Sequence, residues 1–333
     1  MNAPVVTVFM AVYNGANFLR ASIESILAQT FTDFELLIVN DGSTDNSLSL
    51  ISSFLFDSRV RLLDNSTNRG ILYSRNLALK EARGEYLAIM DCDDIALPDR
   101  LEIQYQFLSL NKEFALCGGH AKQIDENGNS LKPPLVVVTD NKRLAMHLLF
   151  GNVFVHSSVM VRTVIFREVG GYHNFNLAED YHFFWRISQK YAVANLDNFL
   201  VKYRLHPANT SLTAMSKMLE SERAILLELH EKIGIMKSQS LIDIHHSILK
   251  RNLVYSYSDY RKLLIALKKA NSRTGLYPPE DFNRFIFDKW FFIIELKGGK
   301  ESLLELLHTD MLEKWNYLSL KKIRRAVKKA LLF

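Results

Sequence analysis

Three carboxylates stand within four residues at Asp91, Asp93 and Asp94, directly after the apolar run 86–90. Like charges this close are costly at the end of a buried strand unless a cation binds or water is plentiful. Carboxylate oxygens suit Mg²⁺ and Mn²⁺, ions that commonly bridge a few carboxylates to substrate phosphates. The cluster therefore predicts a site for a divalent metal and a phosphate. The alternative is a solvated acidic turn that caps a helix.

Further acidic residues could serve the same chemistry. Asp41 ends another apolar strand and could accept a hydrogen bond from the base or ribose of a nucleotide. Its alternative is a cap or Asx-turn before the next helix, a role that Asp45 fits better. The pair Glu179 and Asp180 precedes the aromatic run 181–187. A desolvated carboxylate there would suit a general base, whereas an acidic pair at a helix start is also ordinary compensation of the helix dipole.

Two basic side chains complete the set of candidates. His206 lies in the segment 203–207, and an imidazole is an acceptable metal ligand beside carboxylates, although a lone histidine is more often structural. Arg75 lies on a helix that follows Gly70, where it could steer a pyrophosphate or simply be a solvated helix arginine.

The elements that position these residues can be read from hydrophobic spacing. Apolar runs of strand length alternate with stretches of helical spacing, and the four strands are predicted at 5–12, 34–39, 60–63 and 86–90. This alternation predicts an α/β fold with a mainly parallel, doubly wound central sheet flanked by helices. Ligands of such sheets bind outside the carboxyl ends of the strands. We therefore expect Tyr13 and Asn14, Asn40 and Asp41, and the cluster 91–94 to converge on one crevice.

The chain divides into two parts with opposite charge. The pattern becomes helical after Thr213, which predicts a catalytic α/β domain over 1–212 and a mostly helical region over 213–333. Residues 1–210 hold 19 Lys and Arg against 22 Asp and Glu, while residues 211–333 hold 22 against 14. The overall net charge of +5 therefore comes from the C-terminal part, and we do not expect nucleic acid as a partner.

Much of that charge lies in the tail 321–333, which has six basic residues and no acidic one. Apolar residues recur within and just before it at helical spacing, at Leu320, Ile323, Val327 and Leu331. Such a basic amphipathic helix is typical of contact with an anionic membrane surface. The alternative is a solvated last helix whose cations complement its dipole.

Composition excludes several classes of protein. With 48% hydrophobic and 23% charged residues, the chain has the make-up of a packed globular protein rather than a disordered one. No run is long and apolar enough for a membrane-spanning helix, and the N-terminus lacks the pattern of a signal peptide. The two cysteines, Cys92 and Cys117, have the spacing of neither a disulfide framework nor a zinc site. These features predict a cytoplasmic protein that is at most peripheral on the cytoplasmic face of a membrane.

Taken together, the motifs resemble the inverting family 2 glycosyltransferases of GT-A fold, over roughly residues 4–212. The segments that carry the resemblance are V-T-V-F-M-A-V-Y-N-G at 6–15, S-I-L-A-Q-T-F-T-D-F-E-L-L-I-V-N-D-G-S-T-D at 25–45, N-R-G-I-L-Y-S-R-N at 68–76, A-R-G-E-Y-L-A-I-M-D-C-D-D at 82–94, L-P-D-R-L at 97–101, G-G-Y at 170–172, A-E-D at 178–180 and Y-R-L-H at 203–206. Their order and spacing agree with the family as well as their letters. This sequence departs from the common pattern at Ala11, where proline is frequent, and at Asn40, where aspartate is frequent.

The resemblance implies a role for each matching position. Asp180 corresponds to the general base, and Asp93 with His206 to the ligands of a metal on the diphosphate. The positions implied to bind the nucleotide are Ala11, Tyr13, Asn14, Asp41, Arg75 and Asp91.

The resemblance also implies an activity. The expected reaction is transfer of a hexosyl or N-acetylhexosaminyl group from a nucleotide-sugar, most readily a UDP-sugar, to a hydroxyl of a carbohydrate or lipid-linked acceptor. It would need Mn²⁺ or Mg²⁺ and would serve surface polysaccharide or glycan synthesis.

The alternative functions are a catalytically inactive nucleotide-sugar-binding or scaffold relative, and a nucleotidyltransferase. The latter usually needs a Gly-rich basic loop after the first strand, and residues 12–18 hold one glycine and no basic residue. A dehydrogenase is disfavoured because no G-x-G-x-x-G follows that strand.

Overall fold

The computed structural model describes residues 3–175, 177–207, 209, 215–299, 301–305 and 324–325. The chain forms two compact units. The first takes the chain up to Leu148 together with 152–218, and the second takes Leu149–Gly151 and the chain from Leu219 onward. The boundary predicted between 212 and 213 lies outside the described residues. So does the predicted basic tail, except for Arg324 and Arg325, which are helical and exposed.

The first unit contains a nine-stranded sheet with helices on its faces. The strands are β1 Val6–Val12, β2 Phe34–Asp41, β3 Val60–Asn65, β4 Tyr86–Ile89, β5 Ile95–Ala96, β6 Phe114–Ile124, β7 Ser130–Leu135, β8 Met160–Arg162 and β9 Ala192–Arg204. The helices of this unit are α1 Ala16–Leu27, α2 Ser47–Ser52, α3 Ile71–Glu81, α4 Arg100–Leu110, α5 Leu144–His147, α6 Thr163–Glu168 and α7 Glu179–Ser188. The predicted α/β architecture is therefore confirmed.

The sheet is mixed, with the order β3-β2-β1-β4-β8-β6-β9-β5 and with β7 added beside β6. Its first four strands are mutually parallel, as the alternation of strands and helices predicts. Strand β8 then runs antiparallel to both β4 and β6. Strands β1 and β2 are buried nearly throughout, as in parallel strands that are covered on both faces. The carboxyl ends of β2, β1 and β4 therefore lie side by side at one edge.

The second unit is helical. Its helices are α8 Met215–Ile233, which begins in the first unit, then α9 Gln239–Leu249, α10 Tyr257–Thr274, α11 Pro279–Lys297 and α12 Glu301–Glu305. Each of the longer helices buries one apolar stripe, for example Ile225, Leu226 and Leu229 of α8, which is why the helical spacing after residue 213 was readable in the sequence. Within the described residues, no helix is sufficiently long and apolar to cross a lipid bilayer.

Candidate active site

The loops after β1 and β2 are joined by hydrogen bonds at the edge of the sheet. Asn14 has a positive φ of 51°, and its amide oxygen accepts a hydrogen bond from the Thr44 backbone nitrogen at 2.8 Å. The Asn14 backbone nitrogen donates to the Ser43 hydroxyl at 3.0 Å. The Asp45 carboxylate accepts hydrogen bonds from the first backbone nitrogen of two helices, that of Ser47 at 2.9 Å and that of Ala16 at 3.1 Å. Tyr13 remains 49% exposed beside this junction, so its ring is accessible to a ligand.

Asp41 is buried and holds the loop that leads into α3. Its carboxylate accepts hydrogen bonds from the backbone nitrogens of Arg69 at 3.0 Å and Gly70 at 2.8 Å, and from the Asn65 amide at 2.9 Å. Gly70 has a φ of 89°, which a residue with a side chain rarely adopts. Asp41 therefore holds this loop in place. A nucleotide base could bind Asp41 only through carboxylate lone pairs that these three donors do not occupy.

Asp91 is the acceptor at the centre of a polar network. Its Oδ2 lies 3.1 Å from His156 Nδ1 and accepts a hydrogen bond from the Ser157 hydroxyl at 2.8 Å. Its Oδ1 accepts from Arg75 Nη2 at 3.4 Å. Burial opposes the charge on Asp91, but the neighbouring His156, Arg75 and Ser157 hold its pKa well below the usual range. Asp91 is therefore ionised and oriented by the protein itself.

Arg75 connects this network to the start of α7. Its Nη1 donates to Glu179 Oε1, and the two side chains are only 12% and 8% exposed. Burial alone would lower the pKa of Arg75, and the carboxylates of Glu179 and Asp91 outweigh that effect and raise it. The guanidinium thus ties the end of β4 to a helix 104 residues away. Both of its terminal nitrogens are engaged by carboxylates in this structure, and the contact with a pyrophosphate that the sequence suggests for Arg75 stays a prediction.

Asp93 and His206 form a close pair of side chains. His206 Nε2 lies 3.0 Å from Asp93 Oδ2, and the imidazole packs on the Phe18 ring with centroids 4.8 Å apart. Burial and the charge of Asp91 raise the pKa of Asp93. The effect of Asp91 is the repulsion between carboxylates that the sequence predicts. Asp94 differs, because it is buried and bound by the Arg204 backbone nitrogen at 2.8 Å and by the Ser157 hydroxyl.

The chemistry of this donor set fits a divalent metal that also binds a substrate. One carboxylate and one imidazole lie at hydrogen-bonding distance, and Mg²⁺ or Mn²⁺ is often held by one or two protein ligands with phosphates and water completing its shell. Among the described residues, no group of three or more His, Cys, Asp or Glu side chains forms a complete site. The pair would therefore bind a metal together with a phosphate-bearing ligand.

Asp180 is the second residue of α7, directly after Glu179. Its Oδ2 accepts a hydrogen bond from the Asn152 amide at 2.9 Å, and its Oδ1 accepts from the Tyr181 backbone nitrogen at 2.7 Å. Burial raises the pKa of Asp180, and the nearby Glu179 adds to the effect, while His156 and Arg75 oppose it. A carboxylate made more basic in this way suits proton abstraction.

Four residues of the site were missed in the sequence: Asn152, His156, Ser157 and Arg204. His156 bridges Asp91 and the Tyr172 hydroxyl, which lies 3.0 Å from its Nε2. Arg204 donates to the backbone carbonyl of Asp93 at 2.8 Å and so shapes the acidic turn. The only local signal for His156 and Ser157 is a polar His-Ser-Ser between two apolar runs, which is compatible with many structures.

The chain is similar to known glycosyltransferases in sequence. The family model described as Glycosyl transferase family 2 matches residues 7–169. An uncharacterized glycosyltransferase of Haemophilus influenzae is 31% identical over 291 residues, which cover 79% of this chain and 89% of that protein. An uncharacterized glycosyltransferase of Methanocaldococcus jannaschii is 35% identical over 221 residues, or 65% of this chain and 76% of that protein.

Solved structures are similar at the level of the fold. Residues 1–349 of S. aureus TarS in complex with UDP-GlcNAc align with a TM-score of 0.56 and 18% identity, covering 92% of this chain and 88% of that one. A mannosyltransferase from Pyrobaculum calidifontis in complex with GDP-Man and Mn²⁺ aligns with a TM-score of 0.50 and 14% identity, covering 99% and 88%.

Proposed function

Because the chain belongs to glycosyl transferase family 2 and has the GT-A fold, we propose that it transfers a hexose or N-acetylhexosamine from a UDP-sugar to an acceptor hydroxyl, with inversion and with a divalent metal. The observation that carries this proposal is one hydrogen-bonded chain from Asp91 through Arg75 to Glu179. It links the strand end that bears Asp93 to the helix start that bears Asp180. These hydrogen bonds would therefore fix the position of Asp93, the proposed metal ligand, relative to Asp180, the proposed base.

Asp180 is proposed as the general base. It would take the proton of the acceptor hydroxyl as that oxygen attacks the anomeric carbon, and its raised pKa suits this task. The Asn152 and Tyr181 donors hold the carboxylate in one orientation. A single displacement from the face opposite the diphosphate would invert the anomeric centre.

Asp93 and His206 would hold Mn²⁺ or Mg²⁺ on the diphosphate of the donor. A metal bound there would offset the negative charge that develops on the departing diphosphate. Arg204 supports this pair by fixing the backbone of Asp93. Ala11, Tyr13, Asn14 and Asp41 would form the nucleoside end of the site, with the exposed Tyr13 ring available to stack on the base.

The donor and acceptor are proposed on different grounds. TarS has been crystallised with UDP and with UDP-GlcNAc, and the archaeal mannosyltransferase with GDP-Man and Mn²⁺, which supports a nucleotide-sugar donor and a metal. The acceptor is proposed to be a carbohydrate or lipid-linked intermediate of surface polysaccharide or glycan synthesis. The tail 321–333 would then hold the enzyme at an anionic membrane, on the cytoplasmic side.

The donor is tested by thermal shift of the full-length protein with Mn²⁺ and UDP-, GDP- or dTDP-sugars. A ligand at 100 times its Kd should stabilise the native state by about 2.7 kcal/mol. We expect a shift with at least one UDP-sugar and a smaller one when Mn²⁺ is chelated. Absence of a shift with every UDP-sugar would contradict the uridine assignment. Release of UDP without acceptor would distinguish an active transferase from a relative that only binds the donor.

Asn152→Ala tests how Asp180 is tuned. The Asn152 amide donates to the charged carboxylate, so its loss should raise the pKa of Asp180 further, by about one pH unit. Because the base must be deprotonated to act, activity is lost as pH falls through this pKa, and the acidic limb of the pH profile should move to higher pH. Turnover well above the limb should stay close to wild type.

The control for this variant is Asn198→Ala, which removes an exposed asparagine of β9. It should leave the pH profile in place. An unmoved acidic limb in Asn152→Ala, with Asp180→Asn still inactive, would show that the amide does not tune the base.

A further inference from the structure

The second unit contains a groove that the proposed transfer reaction does not use. It has a volume of about 1050 Å³ and lies between the turn 234–238, which joins α8 to α9, and the C-terminal half of α10. Ile235, Leu241 and Ile265 form its apolar floor. A concave apolar surface of this size favours a ligand with a substantial apolar part.

Cations surround this floor. Lys237, Lys268, Lys269 and Arg273 line the groove, and no acidic residue lines it in the part of the chain that the structure describes. Lys237 is paired with Glu231 at 2.7 Å, and Arg273 donates to the Gly234 carbonyl, which secures the turn against α10. Lys269 is exposed on the helix surface. We call this feature the basic groove, and its charge is complementary to an anionic, partly apolar ligand.

The turn at the edge of the groove carries an apolar residue in solvent. Met236 is 88% exposed, and Lys237 follows it directly. A protruding apolar side chain beside cations suits the boundary between lipid headgroups and acyl chains. An acidic protein helix could match the charge of the groove, yet it would leave this protruding side chain without a role.

We propose that the basic groove binds the phosphate headgroup of an anionic phospholipid in a bilayer, with Met236 inserted among the lipid chains. This contact is separate from the tail 321–333, and all of its residues lie in the part of the chain that the structure describes. It does not depend on the transfer reaction, so a failure of either proposal leaves the other open to its own test.

The test is binding of the full-length protein to vesicles of phosphatidylcholine alone and of phosphatidylcholine mixed with phosphatidylserine, measured by flotation. We expect binding to the mixed vesicles only. Lys269→Glu should lower the partition coefficient by at least roughly fivefold, since each cation near an anionic surface contributes about that factor. Met236→Ser should lower it by a similar factor, because insertion of an apolar side chain is lost. The tail is present in every variant, so its contribution cancels in the ratios.

The matched control is Met215→Ser with Lys217→Glu, on the first turn of α8. Both residues are exposed, and they lie roughly 27 Å along the helix axis from the turn 234–238, at 1.5 Å per residue. This control should bind mixed vesicles as wild type does. Equal losses in the control and in the groove variants would overturn the proposal. So would unchanged vesicle binding by Lys269→Glu, and weaker retention of that variant on immobilised polyglutamate would then assign the groove to an acidic protein segment. Transfer to a soluble acceptor should be unaffected in all of these variants.

Discussion

Asp180→Asn should lower turnover by a factor on the order of 10²–10⁴ while leaving donor binding nearly intact. The amide has almost the shape of the carboxylate and can still accept from the Tyr181 backbone nitrogen, so the start of α7 should keep its structure. What is lost is the ability to take a proton from the acceptor. The measurement is the rate of transfer at saturating donor and acceptor, together with the thermal shift produced by the donor and Mn²⁺.

Glu113→Gln is the matched control for Asp180→Asn. It makes the same change from acid to amide at an exposed position before β6 and should leave the rate unchanged. Transfer near the wild-type rate in Asp180→Asn would remove Asp180 from the role of base. Loss of both transfer and the donor-induced shift would instead point to damage to the binding site.

Asp93→Asn should abolish the part of donor stabilisation that depends on Mn²⁺ and lower turnover by about 10²-fold or more. A metal contributes several kcal/mol of charge stabilisation in transition states of this kind, and 10²-fold corresponds to about 2.7 kcal/mol. Asp93 is the carboxylate of the pair with His206, so its replacement by asparagine removes a negative charge from the proposed metal site. The measurement is thermal shift with the donor over a series of Mn²⁺ concentrations, combined with the transfer rate.

The same control, Glu113→Gln, should retain the full dependence on Mn²⁺. A variant Asp93→Asn that still shows a wild-type response to Mn²⁺ would exclude the Asp93 and His206 pair as the metal site. Donor binding without Mn²⁺ should survive in Asp93→Asn, because other loops form the proposed nucleoside end of the site.

Local features of the sequence were sufficient for the elements of the α/β unit. The strand predicted at 34–39 is observed as Phe34–Asp41, and the strand predicted at 86–90 is observed as Tyr86–Ile89. A continuous apolar run indicates a strand that is buried on both faces, and apolar residues at helical spacing indicate a helix with one buried stripe. Each pattern is complete within a few residues of sequence. The placement of Asn14, Asp41 and Asp91 at the ends of neighbouring parallel strands followed from this pattern, because parallel strands place their carboxyl ends at one edge. Their convergence on one crevice stays a prediction.

The antiparallel pairing of β8 was not readable in this way. Strand β8 has only three residues and pairs with β4 and β6, elements that lie far from it in the chain. The pairing of such a short strand is decided by which neighbours bury it, and no periodicity within it records that choice. The same holds for Arg204, which reaches the backbone of Asp93 from the end of β9.

By itself, the sequence determined which residue types stand at the ends of the strands, and through them the family to which the chain belongs. It also determined that Asp91, Asp93 and Asp94 would repel one another after a buried strand, since that follows from their spacing alone. Only the tertiary structure decided how the three are used. Asp94 is held by Arg204 and Ser157, Asp91 by His156 and Arg75, and Asp93 alone is paired with His206. The physical reason is that a buried charge takes its role from the partners that surround it, and here those partners come from elements far away in the chain.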